Sequence, residues 1–112
     1  MTLKYEYDKA ALKATVCGVE DCGTNVVIPA TVEYYKKVYK VTSIGKSAFY
    51  NCKVIESIVI PNSVTSIGED AFRECEFLTS VEIPSSVISI HEHAFLFCKS
   101  LSSIKVDSGN TI

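Results

Sequence analysis

The apolar positions of this chain alternate with polar ones in short bursts that return at a fixed interval. Ser57-Ile58-Val59-Ile60 is one such burst, and period-2 alternation marks a strand with one buried face. Pro61 closes it, because proline has no N–H to give a ladder. A second short extended piece follows at Val64 to Ile67, and Ser47-Ala48-Phe49-Tyr50-Asn51 reads as a helical or 3₁₀ turn with serine as N-cap.

The interval is 23 residues, and three segments align on it: 44–66, 67–89 and 90–112. The first carries Ile44, Gly45, Ala48, Phe49, Cys52, Ile55, Ile58, Ile60, Pro61 and Val64 at fixed offsets. The second carries Ile67, Gly68, Ala71, Phe72, Cys75, Leu78, Val81, Ile83, Pro84 and Val87 there, and the third Ile90, His91, Ala94, Phe95, Cys98, Leu101, Ile104, Val106, Asp107 and Asn110. One strand and one turn per interval make one coil of a solenoid. A single coil cannot bury its own faces, so neighbours must stack on it with like strands in parallel.

Residues 1–43 follow another pattern and predict an N-terminal cap. Leu3 to Tyr7 and Leu12 to Val16 alternate like the two strands of a hairpin with its turn near Asp8-Lys9. Val26-Val27-Ile28-Pro29 echoes Ile58-Val59-Ile60-Pro61 and predicts a degenerate first coil. Tyr35 to Val41 reads as a hairpin insertion leading into Ile44. The division is therefore 1–43 for the cap and 44–112 for three repeats.

The string Ile-Gly-x-x-Ala-Phe-x-x-Cys-x-x-Leu-x-x-Val-x-Ile-Pro-x-x-Val, as it stands at Ile67 to Val87, resembles the BspA-like leucine-rich-repeat family. The resemblance runs from Ile44 to about Val106, with Val27 to Pro29 and Tyr39 to Ile44 similar to that family's opening segment. It implies a leucine-rich-repeat solenoid, α/β or mainly β, with parallel strands and short helical or 3₁₀ turns behind a β-hairpin cap. It also implies a non-enzymatic protein-binding role, in a cell-surface or secreted adhesin-like protein. The other reading is a structural spacer or end module of a longer repeat protein. Two departures stand out: His91 replaces the glycine of Gly45 and Gly68, a strained choice if that position takes positive φ, and Asp107 replaces the strand-ending proline. The third unit barely completes its strand, which suggests a fragment or an end that a partner covers.

Composition narrows the function. Eleven lysines and arginines against thirteen acids give a net charge of -2 and no basic stripe, so nucleic acid and anionic membrane are excluded as expected partners. No apolar run approaches the ~18 residues that cross a bilayer. The start, Met1-Thr2-Leu3-Lys4-Tyr5-Glu6, lacks the apolar stretch of a signal peptide and leaves the compartment open.

Candidate chemistry is sparse. Cys52, Cys75 and Cys98 fall one per coil, a column that cannot converge on zinc and is expected to be a ladder of buried thiols. Cys17 and Cys22 are close enough in sequence to close a disulfide in an oxidising compartment. His91-Glu92-His93 lacks the i, i+4 spacing of a helical zinc site and is expected on a solvated surface. No nucleophile has a base partner at recognisable spacing, and no phosphate loop or cofactor motif is present. Two surfaces are more informative. The outward strand face, Ser57, Ser80 and Ser103 beside Val59, Glu82 and Lys105, is the candidate binding face. Leu96 and Phe97, where earlier coils carry Tyr50, Arg73, Asn51 and Glu74, are the candidate self-association site at an open C-terminal end.

Overall fold

The computed structural model describes residues 2–107. Among the described residues ten strands follow one another: β1 (Leu3–Asp8), β2 (Lys13–Val19), β3 (Asn25–Val27), β4 (Thr31–Tyr34), β5 (Lys37–Ile44), β6 (Ser57–Val59), β7 (Ser66–Ile67), β8 (Ser80–Ile83), β9 (Ser89–Ile90) and β10 (Ser103–Val106). They wind into a solenoid of about four turns with no helix among the described residues. One sheet stacks β3, β6, β8 and β10 in parallel; the other runs β1-β2-β5-β7-β9, with β4 antiparallel to β5. Register confirms the 23-residue interval: Ser57 pairs Ser80, Ser80 pairs Ser103, Ser43 pairs Ser66 and Ser66 pairs Ser89.

Equivalent side chains pile up between the sheets. Phe49 and Phe72 stack with centroids 5.1 Å apart and planes 2° from parallel; Phe72 and Phe95 follow at 5.4 Å and 4°. Each such pair adds about 0.5–1.5 kcal/mol beyond its area burial. Ile44, Ile55, Val64, Ile67, Leu78, Ile83 and Val87 complete the dry interior, and among the described residues no polar or charged side chain is buried in it.

The coils are also tied by backbone bonds running both ways. Just after β7 and β9 the N–H groups reach back one coil: Gly68 to the Ile44 carbonyl at 2.8 Å, His91 to Ile67 at 2.9 Å. On the turn side each reaches forward: Ser47 to Glu69 at 2.9 Å, Phe49 to Ala71 at 2.7 Å and Asn51 to Arg73 at 2.8 Å.

One sequence expectation needs correction here. The Ser47–Asn51 turn is not helical or 3₁₀: Ser47 and Asn51 take positive φ, 57° and 61°, as do Asp70 and Glu74, and His93 and Phe97. Overlapping bonds from Ala48 to the Gly45 carbonyl and from Cys52 to Phe49 put those residues third in a β-turn, where type II geometry demands positive φ. Ser47 therefore cannot act as an N-cap. Gly45 and Gly68, in contrast, do not take positive φ. Glycine is needed for close approach: a Cβ on Gly68 would lie 2.8 Å from both Gly45 C and Lys46 N.

The N-terminal segment contributes β3 to the first sheet and β1, β2, β4 and β5 to the second. β1 and β2 form an antiparallel hairpin, and Asp8 accepts the Ala10 and Ala11 N–H groups at its turn. Tyr35 and Lys36, both at positive φ, make the tip of β4–β5. On the inner face Tyr7 stacks on Tyr34 at 4.0 Å with its edge against buried Tyr39 at 4.8 Å. The Cys17–Cys22 bond that the sequence left open is not formed. Cys22 bonds Cys52, with Cα atoms 5.6 Å apart, and Cys17 is free. Cys17 lies on β2 two residues after Thr15, on the side away from buried Val16, whereas Cys22 follows the strand into the loop beside the first turn. The expected thiol ladder is thus shortened to Cys75 and Cys98, whose thiols donate to the Phe49 and Phe72 carbonyls at 3.2 and 3.0 Å.

Candidate interaction surface

The outer side of the parallel sheet β3-β6-β8-β10 is built by strand alternation. Ile58, Val81 and Ile83 point inward, so Ser57, Val59, Ser80 and Glu82 point out. Register sets Ser57, Ser80 and Ser103 in one column and Glu82 beside Lys105; the same register carries Val59 next to Glu82. The structure therefore places the six residues of the sequence-derived face together. It adds two that the sequence reading missed. Asn25 pairs Ser57 and Val27 pairs Val59, extending both columns onto β3. The echo of Val26-Val27-Ile28-Pro29 in Ile58-Val59-Ile60-Pro61 carried that signal. Asn25 and Ser57 are joined by a 2.7 Å side-chain hydrogen bond. Val27 and Val59 are 64% and 55% exposed, an apolar pair at one side of a field of short hydroxyls.

A shallow cavity of about 250 Å³ opens at the C-terminal end of these strands, lined by Ile58, Val59, Ile60, Asn62, Glu82, Pro84 and Asp107. Asp107, the replacement for proline, accepts the Ser85 N–H at 3.2 Å, while its own N–H bonds the Ile83 carbonyl at 3.0 Å.

Leu96 and Phe97 part company. Leu96 is half-buried and its carbonyl accepts from Glu74. Phe97, 55% exposed, lays its ring 5.6 Å from the Arg73 guanidinium, which also sits 5.9 Å from the Tyr50 ring. Arg73 is further flanked by Asp70 at 3.5 Å and Glu74 at 3.9 Å. Phe97 thus lies on the flank of the turn column. The last coil does present a bare cross-section elsewhere: Ile104 and Val106 are 46% and 45% exposed, where their counterparts Val81 and Ile83 are buried.

Other titratable groups do not converge. His93 lies 3.2 Å from Glu92 and 3.9 Å from Asp70, and His91 is exposed. No group of three or more metal-ligating side chains gathers among the described residues. The hydrogen bond between Lys53 and Glu76, 2.8 Å long, raises the pKa of the amine and lowers that of the carboxyl. Burial pushes the Cys75 thiol up to about 12, so it is a weak nucleophile at neutral pH. No helix among the described residues is long and apolar enough to cross a membrane.

Comparison with known proteins fits this geometry. The family profile described as the BspA type leucine rich repeat region matches residues 24–112 in six copies. No curated protein matches the sequence. Among solved structures, a leucine-rich repeat protein of T. pallidum superposes with a TM-score of 0.83 at 28% identity over 91% of this chain and 46% of its own. This chain therefore spans just under half the length of that relative. A leucine-rich repeat protein of Bacteroides capillosus gives 0.72 at 23% identity, covering 95% of this chain and 94% of its own. The pneumococcal vaccine antigen PcpA gives 0.70 at 20% over 98% and 37%; these two share the fold. With a profile matching well over half its length, and a coil-by-coil architecture to go with it, the chain belongs to the BspA-type leucine-rich repeat family.

Proposed function

We propose that this chain is a non-enzymatic protein-binding module of a cell-surface, adhesin-like protein, and that it binds through the outer face of β3, β6, β8 and β10. The observation that carries the reading is the face itself. Four parallel strands in register hold a column of Asn25, Ser57, Ser80 and Ser103 beside Val27, Val59, Glu82 and Lys105. Short side chains leave it flat, a rigid sheet fixes it, and the exposed valines supply an apolar anchor. The Cys22–Cys52 disulfide suits a protein exported to an oxidising compartment. Among the described residues no serine, threonine or cysteine side chain hydrogen-bonds a histidine or carboxylate, which favours a scaffold over an enzyme.

The test is capture of partners on the immobilised chain, repeated with Ser80→Arg and Glu82→Lys. Loss of the captured partner with both variants, while their unfolding midpoints stay unchanged, is the expected result. Undiminished capture by both would refute the face.

A second reading has its own support: the bare final coil is a self-association end. On the turn side His93, Phe95 and Phe97 stand where Ser47, Phe49 and Asn51 donate forward, and no carbonyl among the described residues accepts from them. A symmetric tail-to-tail pair would set these donors against one another, so the favoured mate is a surface presenting carbonyls, as a further coil does. Light scattering across a concentration series tests it. Association that Ile104→Glu or Phe97→Asp abolishes supports the reading, and a monomer at millimolar concentration rejects it. A module with no ligand, a spacer, is left if both surfaces prove silent.

A further inference from the structure

We infer that the cavity at the C-terminal end of β6, β8 and β10 takes a basic side chain of the protein partner, arginine before lysine. This rests on the reading of that sheet face as the binding surface. The cavity, about 250 Å³, has room for one long side chain. Its wall is apolar where Val59 and Pro84 lie and acidic where Glu82 and Asp107 lie, with the Asn62 amide beside them. That division matches a side chain with a methylene stem and a cationic head. Among residues 44–112 there are five basic and eight acidic side chains. Lys46, Lys53 and Arg73 are engaged with Glu69, Glu76 and the pair Asp70 and Glu74. Glu82 and Asp107 have no ion-pair partner among the described residues, and Lys105 forms none with its register neighbour Glu82.

Asp107 is already oriented. Its Oδ2 is held by the Ser85 N–H at 3.2 Å, which leaves Oδ1 for a donor entering the cavity. The first two coils carry Pro61 and Pro84 at this position, so the acidic character is confined to the third. A guanidinium has a planar fork of donors that can serve two carboxylates and an amide oxygen at once; an ammonium is a single point charge. An acidic side chain is repelled there, and an apolar one leaves both carboxylates unpaired.

The test needs no partner. The folded chain, labelled with ¹⁵N, is titrated with N-acetyl-arginine methylamide, and in parallel with the lysine, norleucine and glutamate analogues. Saturable shifts of the Val59, Asn62, Glu82 and Asp107 amides by the arginine compound, weaker for lysine and absent for norleucine and glutamate, are expected. Glu82→Gln and Asp107→Asn keep shape and hydrogen bonding; each should weaken binding about two- to fivefold, as an exposed ion pair does. The double variant should lose it. Shifts spread evenly over Glu56, Glu74 and Glu92, or binding that survives the double variant, would overturn the assignment. Because partner capture is read separately with Ser80→Arg, the cavity can fail while the face stands, and the reverse.

Discussion

At Gly68 the polypeptide of one coil touches that of the coil before it. A methyl group there meets backbone atoms at 2.8 Å, and backbone cannot swing aside as a side-chain tip can. Gly68→Ala should therefore cost about 1–3 kcal/mol, read as a lower urea midpoint at unchanged slope. At Gly18 the same change meets only Lys4 Cδ at 3.8 Å and should stay within about 0.5 kcal/mol. Equal midpoints for the two variants would remove close approach as the reason for glycine. The sequence showed that the position is special but left open whether for positive φ, because spacing alone cannot tell strain from contact. The residues that do turn left-handed, Ser47, Asp70 and His93, with Asn51, Glu74 and Phe97, were legible only in hindsight, from the asparagine, aspartate and histidine among them. Cys75 offers a second measurement. Its thiol ionises near 12 when folded against an ordinary 9.0, so the unfolded chain gives up the proton first as pH rises. The stability this group contributes is whole below pH 9 and is lost as pH climbs towards 12. Tyr5 and Tyr7, also raised by burial, act in the same direction. A Cys75→Ala chain should accordingly lose less stability than the parent between about pH 8 and 11; parallel losses in denaturant titrations would contradict this.

The disulfide belongs to the scale of elements, for it fastens the loop after β2 to the first turn. Closing a separation of 30 residues limits the unfolded chain and should stabilise the fold by about 3–4 kcal/mol. Cys22→Ser is the cleanest probe, since Cys22 is exposed and Cys52 keeps its place in the core as a thiol. The variant should lose most of that amount, with amide exchange accelerating in β1 to β3 before β8; uniform acceleration would show that the link does not act locally. Periodicity assigned Cys52 correctly to an inner column. It could not name its mate, because the partner comes from the segment that lacks the repeat. Phe72 tests the column itself. Sandwiched between two rings, it should cost about 3–5 kcal/mol when cut to alanine, and Phe95→Ala less, because Phe95 has a ring on one side and is only half-buried.

For the whole molecule, what was readable in advance is what repeats. The interval fixed the strand register, the inward column and the outward face, because each depends only on equivalence between positions. The unreadable parts, the disulfide, the tyrosine cluster and the cavity at Asp107, depend on single contacts made where equivalence ends. The two ends also differ physically. The first coil is closed by a hairpin, aromatic rings and a covalent bond, while Ile104 and Val106 of the last lie half open. Hydrogen exchange should therefore grade along the axis, slowest around Phe72 and Leu78 and fastest at β10, and a single protection value throughout would argue against a stack with separable rungs. The same register has a bearing on length. Successive coils superpose by one step of 23 residues, so segment 67–89 is a cassette with compatible joints at either side. Duplicating it lengthens the binding face by one rung, roughly 4.8 Å, and leaves the hairpin cap and β10 in their present settings. A one-residue insert within a strand would turn its inward side chains outward, whereas whole coils of 23 residues keep every face, so chain growth in this architecture is quantised.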